Sequence, residues 1–392
     1  MTSDAVNHGR PLIGVVGGGQ LARMLVEAAH MREVDVLVQA ASPSDPAAQH
    51  AFELVAADPV DAEATAAFLG RCHGITFENE WVSIDGLRGL ERKGARFFPS
   101  LSSLEPLVNK LRQRQLLDDL AIPSPAWVEL REVDPGSPAL PKGWTFPVMA
   151  KAGSGGYDGK GTRVLKSIEC LAELLRSVDP EEWLLEAWVE YERELALVVS
   201  RDTTGRVRAL PLVETHQADQ VCDWVLAPAD ATQLLEATAY NIAASLLTKL
   251  DYVGVLAIEM FYGPQGLLVN EIAPRTHNSG HFSIEACRSS QFDQQLCIAA
   301  GLAVPDPELV VPGALMVNLL GLSPGQASPL EQRLDALRAN PDFHLHWYGK
   351  EGESPGRKLG HLTVVLKGND ASTRREEAMQ ALNQVRSIWP LP

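Results

Sequence analysis

Leu256-Ala257-Ile258-Glu259-Met260-Phe261-Tyr262, Gly263-Pro264-Gln265-Gly266 and Leu267-Leu268-Val269-Asn270-Glu271-Ile272-Ala273-Pro274-Arg275-Thr276-His277-Asn278-Ser279-Gly280-His281 follow one another without interruption. Two apolar, β-branched runs flank a turn sequence, which predicts an antiparallel hairpin. Apolar strands ordinarily exclude charge. A carboxylate on each strand, with a carboxamide beside the second, therefore needs a partner, and a hard cation such as Mg²⁺, or Mn²⁺ in its place, suits converging oxygens. Glu259, Glu271 and Asn270 are the candidate metal ligands. A lone hairpin could equally carry two solvent-facing glutamates, but the next segment favours the metal. Arg275, His277, Asn278, Ser279, Gly280 and His281 gather anion-binding side chains on a flexible backbone, as a small oxyanion beside a cation requires.

The rest of the chain sets the frame. Its 392 residues are enough for two or three domains with large cores. A net charge of −16 argues against a nucleic-acid binder, which needs clustered Lys and Arg, so an anionic ligand must be met by a local site. Cys72, Cys170, Cys222, Cys287 and Cys297 show no C-x-x-C spacing and are expected to be buried free thiols. Residues 1–10 are polar, and no run approaches the ~18 apolar residues that span a bilayer, so a cytoplasmic protein without a membrane partner is expected.

Upstream, Pro11-Leu12-Ile13-Gly14-Val15-Val16 predicts a strand, Gly17-Gly18-Gly19 a tight turn and Gln20 to Ala29 a helix. Together they resemble the first unit of a dinucleotide-type fold, whose helix N-terminus favours an anion. NAD is disfavoured, because the second strand, Val34 to Val38, ends in Gln39 where an acidic residue is required. Gly74 to Glu80 forms another strand. Its end faces the crevice of an open α/β sheet, so Glu78 either touches a polar substrate or, with Glu80, caps the next helix. Asn109-Lys110 opens a helix to Leu120 that bridges to a second domain.

Phe146 to Lys151 is a strand delivering Lys151, followed by a loop with five glycines in the nine residues 153–161 and the strand Thr162 to Leu165. A glycine-rich loop lets backbone N–H groups close over phosphates while Lys151 supplies a charge. It is not a Walker A loop, since no helix follows. Trp183 to Val189 reads as a strand leaving into a connector, where Glu186 to Val189 could supply the slot for a nucleotide base, and one of Glu190, Glu192 and Glu194 is a candidate for a ribose hydroxyl. Leu195 to Arg201 and Arg206 to Val213 read as strands, and Ala229 to Lys249 as a helix. Beyond Arg288 a third unit carries Leu315 to Gly321, His344 to Lys350 and His361 to Leu366, where Lys350, Arg357 and Lys358 make a local positive spot for a phosphomonoester or else a solvated turn.

In this order, G-G-G-Q-L-A-R-M (17–24), T-F-E-N-E (76–80), K-A-x-x-G-G-Y-D-G-K-G (151–161), N-E-I-A-P-R-T-H-N-S-G-H (270–281), Y-G-K (348–350) and G-R-K-L-G-H (356–361) resemble the N5-carboxyaminoimidazole ribonucleotide synthetase family, the ATP-grasp carboxylases of purine biosynthesis. The resemblance implies an α/β fold of ATP-grasp architecture. It has an N-terminal Rossmann-like (pre-ATP-grasp) domain over 1–108, a central two-lobed ATP-grasp domain over 109–305 with a lid at roughly 125–188, and a small C-terminal domain over 306–392. It implies that Lys110, Lys151, Gly155, Gly156, Tyr157, Asp158, Gly159, Lys160, Gly161, Glu186, Ala187, Trp188, Val189, Glu194, His216, Asn270 and Glu271 bind ATP. Glu259, Glu271 and Asn270 hold the metal on the same ground. Gln20, Glu78, Asp158, Arg275, His277, Asn278, Ser279, Gly280, Lys350, Arg357 and Lys358 surround bicarbonate and the aminoimidazole ribonucleotide. Lys151, Arg275, His277 and Asn278 are the implied catalytic groups.

The chain departs from the family pattern at Ala22, at Gln295-Leu296-Cys297 and at Thr215-His216-Gln217, the last leaving open whether His216 or Gln217 approaches the nucleotide. The implied reaction is ATP-dependent carboxylation of 5-aminoimidazole ribonucleotide through carboxyphosphate, by a homodimer without biotin. Another ATP-grasp ligase, such as formate-dependent glycinamide ribonucleotide transformylase, is the alternative, and a regulatory protein that has lost catalysis is a more distant one.

Overall fold

A computed structural model describes residues 9–155 and 161–392. The chain begins with β1 (Leu12–Val16), α1 (Gln20–Met31), β2 (Asp35–Ala40), β3 (Glu53–Ala56) and β4 (Ile75–Phe77), which form a parallel sheet in the order β3-β2-β1-β4. β1 and β2 are buried along nearly their whole length, as expected of parallel strands covered on both faces. α1 presses Leu21, Met24, Leu25 and Ala29 onto this sheet. After α2 (Ile84–Arg92) and α3 (Leu101–Leu104), Asn109 caps α4 (Lys110–Asp119), accepting from the N–H groups of Leu111 and Arg112.

A second, antiparallel sheet follows. Its strands are β5 (Trp127–Glu129), β6 (Val148–Ala152), β7 (Thr162–Leu165) and β8 (Trp183–Ala187), in the order β5-β8-β6-β7, with α5 (Ile168–Ser177) packed across them through Leu171, Leu174 and Leu175.

The third sheet has nine strands. They are β9 (Arg193–Arg201), β10 (Val207–Ala209), β11 (Val213–Ala218), β12 (Val221–Ala227), β13 (Gly254–Gly263), β14 (Gly266–Ala273), β15 (Gly313–Leu320), β16 (Phe343–Trp347) and β17 (Lys358–Leu366). α6 (Gln233–Lys249) covers one face through Leu235, Ile242 and Leu246. α7 (Ser283–Ala286) and α8 (Gln291–Ala300) lead from the hairpin toward β15, α8 packing on α1, while α9 (Leu330–Arg338) and α10 (Ala371–Ile388) cover β15–β17.

Two expectations change. The span Arg206 to Val213 is not one strand but β10 and the start of β11. The long helix begins at Gln233, because Thr232 caps it by accepting from Leu235 N. The strands of the third unit extend the same sheet: β15 pairs with β12, and one continuous sheet runs in the order β14-β13-β9-β11-β12-β15-β17-β16. All five cysteines are free, two buried and three half-buried. Among the described residues no helix is long and apolar enough to cross a membrane.

Candidate active site

The hairpin forms as read. Pro264 and Gln265 make its turn, closed by Gly266 at φ +82°, a left-handed position that glycine takes without strain. Neighbouring strand residues ordinarily face opposite sides. Here Glu259 stands opposite Glu271 and Met260 opposite Val269, so Asn270 is one residue too many and forms a bulge. Asn270 Oδ1 accepts from Lys151 Nζ at 2.9 Å, and Glu271 Oε1 lies 2.5 Å from Lys110 Nζ.

The two carboxylates stand in opposite electrostatic surroundings. Burial and then the facing Glu271 push Glu259 up to about 7. Burial also raises Glu271, but Lys110, with help from Lys151 and Arg275, outweighs it and holds Glu271 at about 2. Two opposed glutamates, one left short of countercharge, fit a divalent cation. Among the described residues no group of three or more His, Cys, Asp or Glu is poised for a metal. The hairpin thus offers two carboxylates and an amide oxygen, as suits an ion such as Mg²⁺ that completes its shell with water and phosphate oxygens.

Lys151 arrives on β6, and its ammonium lies 2.7 Å from Glu186 Oε2 on β8. Glu186 is almost fully buried. Its carboxylate is turned onto two cations. Its other oxygen accepts from Arg114 Nε at 2.7 Å. Arg114 escaped the reading of the sequence, although its position four residues after Lys110 on one helix was a usable signal.

Arg275 Nε donates to Glu80 Oε2 at 2.6 Å. His277 Nε2 lies 3.4 Å from Glu259 Oε1, and its Nδ1 lies 2.9 Å from Ser279 Oγ. Asn278 exchanges amide hydrogen bonds with Asn318 of β15. Gly280 has no room for a side chain: a Cβ there would lie 2.7 Å from the amide of Gln291. That amide stitches the segment together, accepting from His277 N at 2.8 Å and donating to His277 O at 2.7 Å. Gln291, like Asn318, carried no motif that could have singled it out.

The glycine turn before α1 serves a carboxylate of the chain itself. Glu78 Oε1 accepts from Leu21 N at 3.4 Å, so the anion at this helix N-terminus is Glu78. A Cβ on Gly19 would lie 2.3 Å from Glu78 Oε1, and Gly17 has φ +113°, which accounts for glycine at both positions. The expectation that Glu78 or Glu80 caps the next helix is corrected: Ser83 caps α2, Glu78 meets α1, and Glu80 meets Arg275. Gln20, the first residue of α1, is half-buried beside this turn.

Lys358 on β17 offsets a small part of the rise that burial and Glu271 impose on Glu259. Lys350 Nζ donates to Lys358 O at 2.8 Å. Arg357 instead turns back on its own loop, donating to Glu351 O at 2.7 Å. Glu194, its carboxyl raised by burial, accepts from Tyr191 Oη at 2.6 Å. His216 stacks on Trp224 with ring centroids 5.2 Å apart. Ala187 and Val189 are half-buried and Trp188 is exposed. Gly155 and Gly161 have φ near +80°, whereas Gly156, Tyr157, Asp158, Gly159 and Lys160 lie outside the described residues.

Residues 115–292 match the ATP-grasp domain, residues 11–106 the ribonucleotide synthetase preATP-grasp domain, and residues 314–375 the phosphoribosylaminoimidazole carboxylase C-terminal domain. These matches and the three sheets define an ATP-grasp enzyme. An N5-carboxyaminoimidazole ribonucleotide synthase of Synechococcus elongatus is 45% identical over 380 residues, covering 97% of this chain and 96% of its own. The carboxyaminoimidazole ribonucleotide synthase of Aspergillus clavatus complexed with ATP superimposes with a TM-score of 0.84 at 30% identity, covering 96% of this chain and 99% of its own. Its complex with ADP and 5-aminoimidazole ribonucleotide gives a TM-score of 0.82 at 28% identity, over 96% and 99% of the two chains. The chain belongs to the N5-carboxyaminoimidazole ribonucleotide synthase family of ATP-dependent ligases.

Proposed function

We propose that this protein carboxylates 5-aminoimidazole ribonucleotide with bicarbonate, using ATP. The observation that carries the reading is the facing pair Glu259 and Glu271, with Lys110 and Lys151 to one side and Arg275 and His277 following on the same strand exit. The relative bound to ADP and 5-aminoimidazole ribonucleotide supports it. A Mg²⁺ or Mn²⁺ ion held by Glu259, Glu271 and Asn270 supplies charge neutralisation at the phosphates when bound.

In the proposed reaction Lys110 and Lys151 hold the phosphates, while Arg275, His277, Asn278, Ser279 and Gly280 hold bicarbonate against the γ-phosphorus. A bicarbonate oxygen forms a bond to that phosphorus, the bond to ADP breaks, and carboxyphosphate results. Its C–O bond then breaks to give phosphate and carbon dioxide. The exocyclic amine of the ribonucleotide donates its lone pair to the carbon and loses a proton, leaving the carbamate. The amine takes the carboxyl group directly, so biotin has no step to perform. Gln20, Glu78, Lys350, Lys358 and Arg357 orient the ribonucleotide, together with Asp158, while Glu186 to Val189, Glu194 and His216 border the nucleoside of ATP.

The test is ADP release with bicarbonate plus 5-aminoimidazole ribonucleotide against formate plus glycinamide ribonucleotide. Turnover with the first pair alone is expected, and faster release with the second overturns the proposal. A cytoplasmic homodimer belongs to the same reading, and sedimentation equilibrium tests the dimer.

A further inference from the structure

We propose that Arg114 is a positioning residue for this reaction: through the side chain of Glu186 and the bulged strand, it sets Lys151 and Asn270 in their working places. The inference rests on the reading in which Lys151 meets the phosphates of the nucleotide.

Four side chains close a circuit. Arg114 Nε donates to Glu186 Oε1 at 2.7 Å, Glu186 Oε2 lies 2.7 Å from Lys151 Nζ, and Lys151 Nζ donates to Asn270 Oδ1 at 2.9 Å. Arg114 Nη2 then donates to Asn270 O at 2.7 Å and returns the circuit to its start. It crosses α4, β8, β6 and β14, and so joins the smaller antiparallel sheet to the hairpin of the larger one. The side chains of Arg114, Glu186 and Lys151 are 3%, 4% and 9% exposed, so water cannot stand in for a missing partner.

The strand explains why an arginine is needed. β14 is the edge of the nine-stranded sheet, so its outer carbonyls have no neighbouring strand. α4 supplies that neighbour with side chains. Gln113 accepts from Ile272 N at 3.1 Å and donates to Ile272 O at 3.0 Å, and Arg114 Nη1 donates to Val269 O at 3.1 Å. One planar guanidinium thereby meets a carboxylate and the two carbonyls at the bulge, a geometry that an ammonium cannot reproduce. Without it Glu186 has one cation where it had two, and Lys151 is drawn onto Glu186 and away from a phosphate. Lys110, one turn earlier on α4, holds Glu271 in the same way. A single face of α4 thus governs both the lysine of one sheet and the carboxylate of the other.

The experiment is a double-mutant cycle on the full chain, read by calorimetric ADP binding in metal-free buffer and by ribonucleotide-dependent ADP release. Arg114→Lys should weaken ADP binding about tenfold and lower kcat by as much, with a melting temperature a few degrees below the parent's and the KM for ribonucleotide within about twofold. In a Lys151→Ala background the same substitution should have no further effect on ADP binding. Multiplied effects, or parent-like affinity in Arg114→Lys, overturn the inference alone. A Lys151→Ala protein that binds ADP as the parent does overturns the nucleotide reading of Lys151 and the inference with it. If Arg114→Lys does not fold, Glu186→Gln takes its place in the same cycle with the same two outcomes.

Discussion

Arg275 and Glu80 form an ion pair 2.6 Å long between residues 195 positions apart, joining the end of the β13–β14 hairpin to the loop after β4. The two side chains are 18% and 16% exposed, and Glu80 outweighs burial to hold the Arg275 guanidinium firmly charged. A fixed cation beside the hairpin is what a small, strongly hydrated anion requires.

Arg275→Lys keeps the charge but loses the planar fork that can engage Glu80 and a second anion together. Calorimetry should find ADP and ribonucleotide binding near normal, while bicarbonate-dependent ATP cleavage falls about tenfold or more. Parent-rate turnover across a bicarbonate titration would remove Arg275 from the anion site.

Glu271→Gln takes a charge from the facing pair and leaves Lys110 without its carboxylate. Turnover at saturating Mg²⁺ should drop about tenfold or more, equivalent to about 1.4 kcal/mol in the barrier. Turnover within twofold of the parent contradicts a metal role for the hairpin.

How much of this was legible can be judged residue by residue. The hairpin, the lysine before the glycine loop and the cap at Asn109 are local signals, written in strand composition, turn residues and helix-start chemistry. The bulge at Asn270 is not local. Alternation along the strand puts Asn270 and Glu271 on opposite faces, and only the register against β13 brings both to the site. Glu78 could not be assigned to α1 rather than α2 without knowing that β4 lies beside β1. The junction of β12 with β15 depends in the same way on pairing across about ninety residues of chain, a contact that no short-range pattern records.

Arg357→Ala should raise the KM for the ribonucleotide about tenfold with the KM for ATP within twofold, since charge-assisted phosphate contacts contribute roughly 1.5–3 kcal/mol. Because the charge of Lys358 reaches Glu259, Lys358→Ala is expected to alter the Mg²⁺ requirement as well. Steady-state kinetics varying each substrate and Mg²⁺ separates the two. Equal effects of Arg357→Ala on both substrates contradict a phosphate contact.

Asp202 offers a stability test away from the site. Burial raises its carboxyl, but Thr204, Arg208 and two backbone N–H groups outweigh it and hold the group at about 2, below its ordinary 3.8. A depressed carboxyl stabilises the fold above its unfolded pKa, and that stability is lost as pH falls from about 4 toward 2. Asp202→Asn should therefore cost about 2 kcal/mol at pH 7 and progressively less below pH 4, as urea unfolding across pH would report. A penalty independent of pH contradicts the assignment.

The central claim is that this site phosphorylates bicarbonate, and the most direct measurement follows the oxygen. Bicarbonate labelled with oxygen-18 is supplied with ATP and 5-aminoimidazole ribonucleotide, and the released phosphate is analysed by mass spectrometry. Attack of a bicarbonate oxygen on the γ-phosphorus, followed by breakage of the C–O bond, places one labelled oxygen in each phosphate formed. Phosphate released without label, while ADP and the carboxylated product accumulate, would contradict the account.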